Sequence, residues 1–90
     1  MEPSDRNASL RGAVTTLDRI DIACRCRVVG VRASGALRKR LLAMGMVPGA
    51  DVEPLRAAPL GDPVEYWVKG YALSLRRAEA GLIEVVPEEE

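Results

Sequence analysis

Every second residue from Ile22 to Val28 could face one side of a strand. Ile22, Cys24, Cys26 and Val28 alternate with Ala23, Arg25, Arg27 and Val29. A period of two sends successive side chains to opposite faces, so residues 22–31 are expected to form a half-buried strand. Just upstream, Leu17 and Ile20 are spaced to reach the core from one turn or a strand end. The period then changes. Leu37, Leu41 and Met44 fall at i, i+4 and i+7, behind Ser34 at an N-cap position and ahead of Gly45 at a helix end. This predicts a short helix with Arg38 and Lys39 off its apolar stripe. Isolated helices below about 12–15 residues are marginal in water, so it should dock on a sheet.

Pro48-Gly49 reads as a type II turn, because proline presets φ and glycine accepts the positive φ that follows. A strand from Ala50 to Arg56 comes next, then a loop, residues 57–63, rich in breakers. Val64–Lys69 is the most β-prone run of the chain. Gly70 interrupts it, and Tyr71, Leu73 and Leu75 then share a face. Residues 77–81 read as a polar bend or single helical turn, and Leu82–Val86 as a final strand. Tyr66 and Trp67 are neighbours, so they cannot share a face, and one of them is expected in the core. Pro54 has no N–H to give a ladder, so its strand should be an edge or carry a bulge. An edge there would also offer a route to weak self-association. About five short strands at close spacing, with one helix after the first long strand, predict a small barrel or sandwich. Residues 1–14 read as a flexible leader, 15–87 as the folded domain and 88–90 as an acidic tail.

Composition narrows the chemistry. The chain has 90 residues, room for one small domain. Its aromatic residues are Tyr66, Trp67 and Tyr71, so the interior must rest on aliphatic side chains and methionine. Histidine is absent, which removes the commonest general base and the commonest transition-metal ligand. No G-x-x-x-x-G-K-[ST] loop is present to hold nucleotide phosphates. No nucleophile has a histidine base, and no spacing of acids suggests a carboxylate pair. The expectation is therefore a protein that is not an enzyme. No apolar run approaches the about 20 residues of a membrane span, and the first residues lack a secretory pattern, so a cytoplasmic location is expected.

Cys24 and Cys26 are the two cysteines of the chain. Structural zinc sites take four ligands, and no second pair or histidine completes the set. The two thiols read as small core residues, with a metal role for Cys24 and Cys26 as the alternative. Charge is uneven although its sum is zero. Between Ile22 and Ala50 there are six cations (Arg25, Arg27, Arg32, Arg38, Lys39 and Arg40) and no acid, whereas residues 78–90 carry five acids and no cation. A basic face suited to an acidic partner follows. Nucleic acid is not expected, since a single short basic helix lacks a helix-turn-helix companion and the net charge is nil. Contact with a membrane is expected only indirectly.

The segment Arg40-Leu41-Leu42-Ala43-Met44-Gly45-Met46-Val47-Pro48-Gly49 resembles the R-L-x-x-M-G-x-x-P-G stretch of the FeoA family of bacterial ferrous-iron uptake. The similarity continues through Ala58–Pro63, Gly70–Arg76, Glu79-Ala80, Ile83 and Val85, and spans about residues 15–87. This resemblance implies an SH3-like β-barrel with an inserted helix. It also implies an accessory role to FeoB, a membrane transporter with a GTP-binding domain. The alternative it implies is a transition-metal-binding or metal-responsive module related to the C-terminal domain of iron-dependent repressors, taking Fe(II) or Zn(II). No cofactor is expected. Arg38, Lys39, Met46 and Leu60 are the expected partner contacts.

Overall fold

The computed structural model describes residues 12–88. Of the leader expected at 1–14, residues 1–11 lie outside this range, as do residues 89 and 90 of the expected tail. Two β-branched neighbours form strand β1 (Thr15–Thr16). A 3-10 turn at Leu17–Arg19 follows and buries Leu17. The long alternating strand begins later than its pattern suggests: β2 is Cys26–Val31. Upstream of it the chain turns, with Ala23 at φ 70 and the Cys24 N–H donating to the Asp21 carbonyl at 3.1 Å. Ile22, expected in the core, is consequently exposed.

Helix α1 is Gly35–Ala43, with Ser34 at the N-cap. The Ser34 hydroxyl makes no capping bond. Gly35, at φ 62, departs from helical geometry at the first position and turns the backbone away from the cap. Leu41 is fully buried, and Leu37 and Met44 pack against the core from its margin. At the C-terminus, Gly45 adopts φ 103 as a helix-ending glycine. Pro48 and Gly49 form the expected turn, closed by the Ala50 N–H on the Val47 carbonyl at 3.0 Å.

Strand β3 is Asp51–Ala57, β4 is Val64–Val68 and β5 is Tyr71–Leu75. A four-residue helix α2, Arg77–Ala80, leads into β6, Ile83–Pro87. The strands form one antiparallel sheet of six in the order β1-β6-β2-β3-β4-β5. This is one strand more than expected, because the short lead-in Thr15–Thr16 pairs with β6. The ladder runs open from β1 to β5 rather than closing on itself. Lys69 at φ 49 and Gly70 at φ 92 make a two-residue turn between β4 and β5, the pair of positive φ values that suits the right-handed twist of a hairpin.

β3 lies inside the sheet, so it does not supply the free edge once expected for self-pairing. Pro54 is accommodated in two ways. Register shifts between Pro54 and Arg56 against β4, which is a bulge, and the ladder to β2 covers only Asp51 and Val52. The Pro54 carbonyl accepts from Ala23 at 2.8 Å on the β2 side. A residue's N–H and C=O point the same way in an extended strand, so the nitrogen without a hydrogen also faces that side.

The core joins Leu17, Val28, Leu41, Met46, Val52, Tyr66, Val68, Leu75, Ile83 and Val85. Tyr66 is 1% exposed, and its burial pushes the phenol up to about 12. Its neighbour Trp67 faces outward, as the alternation requires.

A candidate partner-binding face held together by a short helix

Helix α2 is short, but two elements of the surface, the basic helix α1 and the loop 58–63, are fastened to it. Arg40 of α1 pairs with the Glu79 carboxylate. Glu79 also receives the backbone N–H of Arg76 through its other oxygen at 3.0 Å, so the carboxylate closes the first turn of α2 and grips α1 together. The Arg40 hydrogen bond, followed by the Arg76 backbone bond, holds the Glu79 carboxyl below the usual range. On the other side, Arg77 fastens the loop 58–63. Its backbone N–H donates to Asp62 Oδ1 at 2.9 Å, and its Nε donates to the Gly61 carbonyl. The loop is further closed by Ala58 N–H on Pro63 O and Gly61 N–H on Ala58 O, at 2.9 and 2.7 Å.

Leu60 stands at the tip of that braced loop and is 97% exposed. Scattered exposed apolar residues are ordinary, but one held out on a loop closed by four hydrogen bonds is a candidate anchor. Arg38 and Lys39 are also exposed, on α1. Arg38 Nη1 donates to the Val31 carbonyl at 3.0 Å, which orients this guanidinium along the end of β2. Three of the four expected contact residues are therefore at the surface.

Met46 is not. It is fully buried, whereas Met44, expected as core filler, is the partly exposed one. The cause is the reversal at Gly45. The Met46 N–H returns to the Leu41 carbonyl at 3.1 Å, which folds residue 46 beneath the helix. Arg77, Glu79 and Asp62 were the fasteners that sequence reading overlooked. The spacing of Arg76 to Glu79 is that of a helix-opening box, and it was the available signal.

The cysteines separate in role. Cys26 is sealed in the core with Sγ at 3.5 Å from the Val52 carbonyl. Burial, with Glu88, Asp51 and Cys24 adding to it, pushes the thiol up to about 12, so it stays protonated and is a poor metal ligand. Cys24 is half-buried at the core's margin. Among the described residues no three histidine, cysteine, aspartate or glutamate side chains come together as a metal would need.

The aromatic residues do not form a common groove. Tyr66 is core, and the Tyr71 hydroxyl donates to the Met44 carbonyl. Trp67 alone lines an open groove of about 320 Å³ on the outer sheet face, with Arg25, Glu53 and Lys69 around it. At the neighbouring end of β6, Glu88 is half-buried rather than solvated: its N–H donates to the Arg25 carbonyl at 3.0 Å. A hydrogen bond with Asp51, then burial, raises its carboxyl above the ordinary value.

The FeoA domain pattern matches residues 15–87. The chain is 47% identical over 58 residues to the Fe(2+) transport protein A/Fe(2+) transporter FeoB fusion protein of Porphyromonas gingivalis. That match covers 64% of this chain and 7% of the fusion protein, so the chain spans a small part of this relative's length. A FeoA-like protein of Clostridium acetobutylicum superposes with a TM-score of 0.78 at 32% identity, covering 86% of this chain and 90% of that one. The FeoA of Stenotrophomonas maltophilia, described in complex with zinc and as an SH3 domain protein, gives 0.69 at 27% identity over 82% and 89%. The architecture is thus the small, mainly β, SH3-like one.

Proposed function

The chain belongs to the FeoA domain family, and on that premise we propose that it is a non-enzymatic accessory of ferrous iron uptake that binds the cytoplasmic part of a FeoB-type GTP-binding transporter. One observation carries this reading: a sequence 47% identical to this chain is joined to a FeoB transporter in a single polypeptide. Such a fusion keeps the two parts at high effective concentration, which is useful only where they work together. The protein acts here from the cytoplasm. None of its helices among the described residues is long and apolar enough to cross a membrane. In this reading it meets the membrane through the transporter.

The binding step is recognition without chemistry. Leu60 enters an apolar socket and loses its water, while Arg38 and Lys39 meet carboxylates at the rim and speed encounter. Because Arg40–Glu79 and Arg77–Asp62 anchor both elements to α2, the face arrives preformed and little ordering is needed on docking. The experiment is a titration of the chain with the soluble cytoplasmic domain of a FeoB-type transporter at low and at high salt. Binding that weakens with salt and is lost in Leu60→Ser supports the reading. No binding at low salt refutes it.

The zinc complex of the S. maltophilia relative raises a metal-responsive reading. The described donors do not fit such an ion, because Cys26 is sealed and protonated and no group of three metal-ligating side chains forms among the described residues. Iron is cargo of the transporter in this account, and the described residues gather no ligand set for it.

A further inference from the structure

We propose that the free edge of β5 is a docking site for an extended segment of another protein, one carrying carboxylates at both ends of an apolar stretch. The sheet ends at β5. Across the two-residue turn, Val68 and Tyr71 form the terminal hydrogen-bonded pair, so Tyr71, Leu73 and Leu75 direct their backbone groups to β4. The N–H and C=O of Ala72 and Ser74 therefore point away from the sheet, and no described residue pairs with them. Both residues are exposed. Sheet edges are normally blunted by charge, proline or a bulge, yet Tyr71–Leu75 has none of the three.

Charge decides the occupant. An antiparallel ribbon of two copies centred on Leu73 would bring the Lys69-Gly70 turn of each copy toward Arg76 and Arg77 of the other, at both ends of the pair. Facing like charges oppose that register, so a second copy is disfavoured. The same cations, Lys69 before the strand and Arg76 after it, favour a guest with acids at its two ends. The outer face adds side-chain preference. Ala72 is paired with Trp67, which is 47% exposed, so the small alanine leaves the ring open toward the edge. An apolar guest residue lying over Ala72 would reach the rim of that ring.

This surface is separate from the Leu60 loop, and its failure would leave the transporter reading standing. Trp67 is the one tryptophan of the chain and reports directly on the site. Its fluorescence and the backbone amide shifts are followed while the full chain is titrated, at low salt, with a synthetic peptide of alternating threonine and valine between paired glutamates. The expected result is a saturable blue shift with the largest amide changes at Ala72 and Ser74. The same peptide with lysines for glutamates should bind at least roughly tenfold more weakly. Ala72→Pro removes an N–H that β4 does not use and should abolish binding. Lys69→Glu, which leaves the strand untouched, should narrow or reverse the preference between the two peptides. No saturable change with the acidic peptide, equal binding of both peptides, largest shifts away from β5, or self-association through β5 would each overturn the proposal.

Discussion

The hydroxyl of Tyr71 donates to the carbonyl of Met44, tying the start of β5 to the end of α1. Gly45 makes the approach possible. A Cβ at that position would lie 2.8 Å from Tyr71 Oη and 3.1 Å from Val68 Cγ1, on a backbone at φ 103. Gly45→Ala combines left-handed strain with this overlap and should cost about 2 kcal/mol in urea denaturation. Tyr71→Phe should cost about 1 kcal/mol for the lost bond. In the double variant the overlap with the hydroxyl is gone, so the two costs should sum to more than the measured loss.

Met46 and Leu60 should respond in opposite ways to truncation. Met46→Ala opens a core cavity and should destabilise by about 2–5 kcal/mol. Leu60→Ala should leave the thermal midpoint within about 1 °C of the parent, since a side chain this exposed has little burial to lose. In binding the order inverts: among folded variants Leu60→Ala should weaken the transporter domain most.

Two glutamates should give stability of opposite pH dependence. Glu79 is held low, so its contribution is present above the ordinary glutamate value of about 4.3 and is lost as pH falls through its folded value. Glu88 is raised, so its contribution is present below that ordinary value and fades as pH rises through the folded one. Glu79→Gln should therefore destabilise at pH 7 and converge with the parent in acid. Glu88→Gln, whose amide can still donate to Asp51, should stabilise at pH 7. Both effects should lie within about 1 kcal/mol, as for exposed pairs, by denaturation at pH 7 and pH 3.

Cys26 should be the slower thiol. With its pKa pushed up to about 12 and its side chain sealed, it should react with a disulfide reagent only through opening of the fold, while half-buried Cys24 labels first. Equal rates from the two thiols in mass-spectrometric labelling would contradict the packing described.

Much of this architecture was legible because local periods and global burial agree. The alternation at Cys26–Val31, the α1 stripe and the Pro48-Gly49 turn each carry a period or a turn residue that tolerates one geometry. The errors share a cause. Ile22 continued a period of two that the backbone abandons at Ala23, and Met46 looked exposed because it follows the helix. Both depend on a chain reversal, and a reversal determines which neighbour a residue meets across the fold. Leu60, Arg38 and Lys39 could be chosen from charge and loop chemistry. Their bracing by Arg77 and Glu79 could not, because those contacts join residues 15 to 39 positions apart.

The proline inside β3 also bears on what happens when the sheet breathes. Were β2 to peel away, the uncovered flank of β3 would offer an incoming chain a carbonyl at Pro54 but no matching donor, next to a kinked, bulged stretch. Such a flank is a poor template for runaway strand addition. A transient opening at this point should close again rather than seed aggregation.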